Sequence, residues 1–359
     1  MQSKTFNSLD TMAISSDIKE NDLLKEYPNV MGILLLDQTT KKNIFWGTDS
    51  YSDMGEGYQN HDPITIEKIT GENGMIIRPR ALKSREEQVA RSKDKAEVFT
   101  PSWICNAQNN LVDNQWFGYE GAFNEEAPAE NDNHSWIPTE KVDFERSGKT
   151  WKDYVTDTRM EITCGEAPYL VSRYDTTTGE FIPVKNRVGL LDRKLRVINE
   201  NAKDREEWLD YAKKAYQNIY GYEWQGDNLL LAREALFLTY IEYYRDFFGE
   251  DAKLNALSLK KIAEIISWNI WQMDGIKFVV PESCHEEVEE IASLFDEPTE
   301  ERRPCPGCSS DDHTRHNGVY SIIRDWAVFE DYHTDQYGRK GCERSDQPFI
   351  NYVMHKNNI

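Results

Sequence analysis

Apolar and polar residues follow two alternating patterns in the centre of the chain. Short apolar runs typical of buried strands alternate with longer segments in which apolar residues recur every three or four positions, as in helices. Because strands alternate with helices, the pattern predicts an α/β fold with a parallel, doubly wound, Rossmann-like sheet. The predicted strands are 159–163, 218–223 and a segment that ends at Asp274, and the predicted helices are one that begins near Pro101, 203–216, 228–248 and 259–266.

The regions on either side of this pattern are predicted to form smaller units. Val30–Leu36 is an apolar run followed by a turn and the strand-like Asn43–Trp46, which suggests a hairpin, and Ile64–Ile69 alternates as a half-buried strand does. Arg78–Lys95, predicted to be helical after Pro79, is the most basic segment and is either a solvated helix face or a phosphate-contacting helix. An acidic, flexible insertion is expected within 120–150. The expected units are an N-terminal mixed α/β unit at 1–95, a central domain at 96–282 and a Cys/His-containing appendage at 283–359.

Composition favours a folded protein that does not enter the membrane. Hydrophobic residues make up 39% of the chain and aromatic residues 12%, which is more than disordered chains contain. No run approaches the roughly 18 apolar residues needed to cross a bilayer, and the first residues lack the pattern of a signal peptide. We therefore expect a cytoplasmic protein with no membrane partner.

The formal net charge of −21 bears on DNA binding. A protein that holds DNA by itself usually presents a basic face. Here the acidic residues are spread along the chain, so DNA contact requires a local basic patch or a partner subunit. Charge argues against a DNA binder that acts alone.

The segment Glu161–Leu170 carries the strongest chemical signal. A strand ends in an acid, turns through the small residues Cys164 and Gly165, and continues into an apolar segment. In a doubly wound sheet, ligands lie outside the carboxyl ends of the strands, where such a turn lets backbone amides approach a cofactor.

This segment resembles motif I of the gamma-group N6-adenine DNA methyltransferases. Upstream, Glu97-Val98-Phe99-Thr100-Pro101 resembles motif X of the same enzymes. Downstream, Ile219–Glu223 with Leu229–Arg233 resembles motif II, and Asn269–Gly275 resembles motif III. The four motifs occur in the expected order over roughly 95–280, and the whole chain resembles the proteins called restriction endonuclease subunit M.

The resemblance implies a class I methyltransferase sheet that binds S-adenosylmethionine. Glu223 would accept the two ribose hydroxyls, Asp274 the adenine amine, and Glu161 would lie under the methionine ammonium. The plainer alternatives are a helix-capping acid at Glu223 and a core aromatic at Phe99. The implied cofactor-binding residues are Phe99, Thr100, Pro101, Glu161, Cys164, Gly165, Glu223 and Asp274.

Three residues of the motif I segment depart from the family pattern. Ile162 stands where the family usually has proline, and Ala167 replaces the second glycine. Glu166 adds a carboxylate that would repel the methionine carboxylate of the cofactor unless it points outward.

The family's catalytic loop, an Asn, Asp or Ser followed by Pro-Pro and an aromatic residue, is absent. In the family this loop accepts the hydrogens of the target amine and stacks on the flipped adenine. The chain contains no Pro-Pro dipeptide, and its nearest approach is Asp346-Gln347-Pro348-Phe349. Asp346 and Phe349 are therefore candidate catalytic residues, with a surface segment as the alternative.

A split enzyme explains the missing loop. The resemblance then implies that this chain is the cofactor-binding subunit of a DNA adenine-N6 methyltransferase of a restriction–modification system, inactive alone. A second polypeptide would carry the Asn-Pro-Pro-Tyr loop, target recognition and the basic DNA surface. The alternatives are a non-catalytic, zinc-braced scaffold that binds a partner or DNA, and a methyltransferase for another substrate that uses Asp346 and Phe349.

A second constellation is Cys305-Pro306-Gly307-Cys308 followed by His313 and His316. A Cys-x-x-Cys turn aims two sulfurs at one metal, and two nearby histidines can complete a tetrahedral zinc site. The alternative is free thiols in a loop. Cys284, His285 and Cys342 are possible substitute ligands. Such a site more plausibly braces an interface than performs catalysis.

Overall fold

The computed structural model describes residues 20–95, 97–127, 134–291, 299–327 and 329–333. The α-helices are α1 (Glu20–Glu26), α2 (Met31–Leu35), α3 (Ile66–Ile69), α4 (Arg85–Lys95), α5 (Ser102–Phe117), α6 (Trp151–Thr156), α7 (Leu190–Asn201), α8 (Arg205–Gln217), α9 (Gly226–Phe248), α10 (Ala256–Asn269) and α11 (Pro306–Ser310). The strands are β1 (Asn124–Glu126), β2 (Trp136–Pro138), β3 (Arg159–Glu161), β4 (Ile219–Glu223), β5 (Ile270–Gln272), β6 (Glu287–Ile291), β7 (Thr299–Arg303), β8 (Ile322–Asp325) and β9 (Glu330–His333). Single 3₁₀ turns occupy Ser52–Met54, Gly71–Asn73, Arg80–Leu82 and Val184–Asn186.

The three central strands form one parallel sheet in the order β3-β4-β5. Glu161 lies opposite Gly221, and Glu223 lies opposite Gln272. Parallel neighbours need long crossover connections, and here α7 with α8 joins β3 to β4, while α9 with α10 joins β4 to β5. The predicted mixed α/β class with a parallel sheet is confirmed.

The two faces of this sheet are covered differently. Alternate side chains of a strand point to opposite faces: Ile219 and Ile270 join the large core that contains the buried residues of α7 to α10. The opposite face has a second cluster, which contains no residue of a described helix. The second cluster is therefore built from strand and loop residues among those that the structure describes. The second cluster consists of Tyr220, Tyr222, Trp271, Met273, Phe278 and Ile323.

α9 is the central helix of the large core. All its residues from 226 to 241 are buried, and a helix that is buried on every side belongs in the interior of a protein. Arg233 is one of its fully buried polar residues. Its guanidinium donates hydrogen bonds to four backbone carbonyls, those of Leu34, Leu36, Ser267 and Ile270.

The strands predicted in the N-terminal region are wrong. Val30–Leu36 contains α2, in which Met31, Leu34 and Leu35 are buried, and that spacing is helical. Leu36 pairs with Asn43 only through an isolated bridge. Ile64–Ile69 contains α3 rather than a strand. Short apolar runs do not distinguish the two structures, so the expected mixed α/β unit is helical with isolated bridges in its described residues.

The remaining connections agree in part with the sequence patterns. The helix expected near Pro101 is α5, which ends at Gly118 in the left-handed conformation. Within the expected acidic insertion, β1 pairs with β2 in antiparallel fashion, while residues 128–133 lie outside the described residues. None of the described helices is both long and apolar enough to cross a lipid bilayer.

Candidate functional site

A cavity of about 1200 Å³ lies at the carboxyl ends of β3, β4 and β5. Open α/β sheets bind ligands at this edge. Pro101 is not among the lining residues and instead caps the start of α5, directly after Thr100. The other cofactor-binding residues expected from the sequence all line the cavity, namely Phe99, Thr100, Glu161, Cys164, Gly165, Glu223 and Asp274.

The loop after β3 turns sharply through left-handed backbone conformations. Thr163, Gly165 and Ala167 have φ angles of 47°, 54° and 61°. Only glycine adopts this region without steric cost, which is about 1–2 kcal/mol for other residues. Ala167 therefore adopts a backbone conformation that usually favours glycine. The Cys164 amide donates to the carbonyl of Tyr222 at 2.8 Å, which extends the sheet pairing into the loop.

Glu161 and Glu223 place two buried carboxylates on the cavity floor. Glu161 accepts the amides of Tyr169 at 3.4 Å and Leu170 at 3.1 Å. Burial raises its pKa well above the usual value, with a further rise from the Glu223 charge, although the two amides oppose the shift.

Glu223 is held by the backbone on both sides of the cavity floor. It accepts the amides of Gly165 at 2.9 Å and Gln225 at 3.1 Å. Burial raises the pKa of this carboxyl too. A carboxylate can accept about four hydrogen bonds, so Glu223 retains acceptor capacity for hydroxyl groups of a ligand.

Asp274 lies beyond the end of β5 in a tight turn. Its Oδ1 accepts the amides of Ile276 at 3.0 Å and Lys277 at 3.1 Å. Its Oδ2 lies 3.6 Å from Nζ of Lys277. The turn fixes the carboxylate beside the cavity, beyond the end of β5.

Glu166 is buried but does not line the cavity. It accepts the Arg80 amide at 2.7 Å and the Tyr174 hydroxyl at 2.6 Å, and burial raises its pKa. This carboxylate therefore points away from the cavity, and the expected repulsion of a ligand carboxylate does not arise.

A buried network of charges borders the cavity, and sequence reasoning missed it. Arg91 lies 2.5 Å from Glu97 and 2.8 Å from Asp227, while Nζ of Lys83 lies 3.6 Å from Asp227. The Nδ2 of Asn228, a lining residue, donates to Glu97 at 3.3 Å. The basic segment Arg78–Lys95 is therefore not simply a solvated or phosphate-contacting helix face, because Arg91 and Lys83 are buried in internal ion pairs. The signal in the sequence is a polar pair, Asp227-Asn228, directly before the apolar run Leu229–Ala232.

Three exposed aliphatic side chains stand at the mouth of the cavity. Val98 is 81% exposed, Ile162 59% and Ile276 79%, and all three line the cavity. Exposed apolar groups that converge on one opening are typical of an interaction site.

A metal-ligand cluster lies outside the cavity. Ligand atoms of Cys284, Cys305, Cys308 and His316 lie within 4.8 Å of one another, and Nδ1 of His316 is 3.6 Å from each sulfur. Three cysteines and a histidine in this arrangement can hold a metal ion. Burial alone would raise the pKa of Cys305, but the amides of Asn317, Cys308 and Gly307 donate to its sulfur, and that pKa is about 6.

The cluster differs from the expected set by one ligand. Cys305, Cys308 and His316 come together as expected, and Cys284 joins them rather than His313. The His313 ring instead packs edge-on against Phe278, with ring centroids 5.4 Å apart. Cys342, Asp346 and Phe349, the remaining candidates, lie outside the described residues.

Comparison of the chain with protein-family models, curated proteins and solved structures finds no match.

Proposed function

We propose that the cavity binds S-adenosylmethionine and that the chain is the cofactor-binding subunit of a split DNA adenine-N6 methyltransferase of a restriction–modification system. The observation that carries the proposal is the convergence of residues from four separate segments. Phe99, Glu161, Glu223 and Asp274 are far apart in sequence, yet all line one cavity at the carboxyl edge of a parallel sheet. These residues belong to the four segments that resemble motifs X, I, II and III.

The charge of the cavity supports a cationic ligand. Its lining includes two ammonium groups, those of Lys93 and Lys277. Opposed to these are five carboxylates, from Glu97, Glu161, Glu223, Asp274 and Glu282. S-adenosylmethionine brings a sulfonium and an ammonium, which favour ionised carboxylates nearby. The polyphosphate of a nucleotide cofactor would be repelled.

Individual groups suit the parts of this cofactor. Glu223 would accept the ribose hydroxyls, and Asp274 the adenine amine. Glu161 would face the methionine ammonium, and the Cys164–Gly165 backbone would contact the methionine portion. These residues bind and orient the cofactor, which itself supplies the methyl group.

The target base and the catalytic loop belong to a partner in this proposal. The exposed Val98, Ile162 and Ile276 at the cavity mouth support an apolar contact there. The net charge of −21 supports a partner that carries the basic DNA surface. Methylation of DNA adenine by the purified chain alone would contradict the split arrangement.

Calorimetric titration with S-adenosylmethionine tests the cofactor. We expect saturable 1:1 binding by the natural chain and binding weakened about 100-fold in Glu223→Ala, because each hydrogen bond to a charged group contributes about 1.5–3 kcal/mol. Glu223→Gln, which keeps one acceptor oxygen, should lose less.

Two controls accompany this titration. Glu250→Ala, a change at an exposed carboxylate remote from the cavity, should bind as the natural chain does. Circular dichroism of each variant separates lost binding from lost structure. Absence of binding by the folded natural chain would overturn the cofactor proposal and favour the scaffold alternative.

We also propose that Cys284, Cys305, Cys308 and His316 hold a structural zinc ion. In a tetrahedral site with Zn–S of about 2.3 Å and Zn–N of about 2.0–2.1 Å, sulfur and nitrogen ligands lie about 3.6 Å apart, as they do here. Between residues 300 and 318 only Cys305 and Gly307 are buried, so this stretch has almost no apolar core. Metal binding would supply its folding free energy.

Metal analysis distinguishes this ligand set from the one expected from sequence. Protein prepared without chelator should contain one zinc per chain, and Cys284→Ser should lose most of it. His313→Ala is the matched control and should retain the metal. Retention by Cys284→Ser with loss in His313→Ala would reverse the assignment, and no zinc in the natural chain would remove it.

A further inference from the structure

A single segment of the chain, residues 274–284, connects the cavity to the metal-ligand cluster. Asp274, Ile276, Lys277 and Glu282 line the cavity, and Cys284 belongs to the cluster. Residues 274–282 are called the third wall below. The third wall and the cluster are therefore joined covalently over two residues.

The third wall has a backbone shape that requires support. Phe278 and Glu282 both adopt left-handed conformations, with φ of 61° and 59°. Such residues cost free energy and persist only where their surroundings hold them. Inside the wall, the Asp274 amide donates to the carbonyl of Val279 at 2.8 Å, and the Phe278 amide donates to that of Asp274 at 2.7 Å.

The cluster's own loop supplies further support by pairing with the third wall. The Val280 amide donates to the carbonyl of Val319 at 2.8 Å, and the Ser321 amide donates to that of Phe278 at 3.1 Å. Between them, the Tyr320 hydroxyl accepts the amide of His316 at 2.9 Å. The wall is thus hydrogen-bonded to residues 319–321, which begin three residues after His316 of the cluster.

Lys277 forms a third connection, through side chains. Its ammonium lies 3.6 Å from the Asp274 carboxylate. Although burial opposes the shift, the charges of Asp274, Cys308 and Cys284 raise the pKa of this ammonium. One side chain thereby interacts electrostatically with both the expected adenine-binding carboxylate and the cluster.

We infer that the metal clamps the third wall and thereby sets the affinity of the cavity for its ligand. Without metal, the stretch 300–318 is no longer held together. The hydrogen bonds of residues 319–321 to the third wall and the attachment of the wall through Cys284 are then lost as well. Asp274 then lacks a fixed position. The coupling is reciprocal, so the ligand must tighten metal binding by the same factor. This inference rests on the proposed function for the identity of the ligand.

Titration with S-adenosylhomocysteine tests the coupling. We expect metal-depleted protein and the Cys308→Ser variant to bind about tenfold more weakly than zinc-loaded protein, within the range of about 5–150-fold that coupled sites show. Added zinc should restore the affinity of the natural chain but not of the variant. His285→Ala, a change beside the cluster at a residue outside it, should behave as the natural chain does.

Hydrogen exchange tests the clamp without any cavity ligand. On zinc removal, the amides of Ile276, Lys277, Val280 and Ser321 should exchange faster, while those of β4 and α9 should not change. Equal affinity with and without zinc, or unchanged exchange at these amides, would overturn the inference and leave the proposed function standing. Failure of zinc-loaded protein to bind S-adenosylhomocysteine would count against the proposed function, and exchange would then decide the clamp alone.

Discussion

Replacement of Asp227 by alanine is expected to lower the free energy of unfolding by about 3–5 kcal/mol, the cost of removing one partner from a buried ion pair. Asp227 is fully buried. It lies 2.8 Å from Arg91, 3.6 Å from Lys83 and accepts the Tyr51 hydroxyl at 2.8 Å. Without the carboxylate, two basic groups remain buried with fewer opposing charges. Chemical denaturation followed by circular dichroism measures the change.

The pH dependence of stability tests the same residue. Although burial would raise it, the pKa of Asp227 is held far below its usual range by Arg91 and Lys83. Because the folded pKa is depressed, the stability contribution is fully present above the unfolded value of about 3.9 and is lost as pH falls through the folded pKa. The difference in stability between the natural chain and Asp227→Asn should therefore narrow below about pH 4. Burial raises the pKa of Asp192 to about 6. Because Asp192 titrates in both proteins, its contribution cancels in the difference between their stabilities.

Asp251→Ala provides the control for this prediction. Asp251 is exposed just beyond the same helix, and its loss should change stability by no more than about 0.5 kcal/mol. Equal effects of the two alanine variants would show that the buried network contributes nothing.

Arg233→Met should destabilise the fold by a similar amount, about 3–5 kcal/mol. Methionine keeps much of the apolar stem but removes every donor, so the four carbonyls of Leu34, Leu36, Ser267 and Ile270 lose a buried partner. Each buried group left unsatisfied costs about 1–3 kcal/mol. Burial lowers the pKa of Arg233 to about 10, so the guanidinium of the natural chain is still charged at neutral pH. The substitution therefore removes a charged group together with all its hydrogen-bond donors.

Thermal and chemical unfolding of Arg245→Met provide the comparison for Arg233. Arg245 lies near the end of the same helix and is only partly buried, so its replacement should cost less than about 1 kcal/mol. Comparable losses at the two positions would mean that the carbonyls around Arg233 find other partners.

The sequence located the central sheet well because buried strands and long apolar helices leave strong patterns. The strands predicted at 159–163 and 218–223 are β3 and β4 within a few residues, and the helix predicted at 228–248 is α9. α7 was missed, since its buried face includes Arg193 and Lys194. These charges are satisfied internally, Arg193 by Asp113 at 2.5 Å and Lys194 by backbone carbonyls. A buried helix face that contains internally paired charged residues does not show the spacing of apolar residues by which helices are predicted.

The two sites were predictable to different degrees. Glu161, Glu223 and Asp274 lie at or just beyond the ends of strands, so their positions along the chain predict that they meet at one edge of the sheet. The cluster has no such pattern in the sequence, because Cys284 stands 21 residues before Cys305 and reaches the cluster through the pairing of 278–280 with 319–321. His313 is closer in sequence, but its ring packs on Phe278 instead. Long-range pairing of irregular segments leaves no local signal.

The cover of the second sheet face has a consequence for how the protein can change over evolutionary time. Phe278 and Ile323 shield Tyr220 and Trp271, and the same stretch of chain carries the metal ligands. A lineage that shed this stretch would uncover aromatic side chains on the sheet and lose the metal-ligand cluster together with the third wall. The cluster, the cover of the sheet and the shape of the cavity are therefore expected to be inherited together, so that selection on any one of them acts on all three.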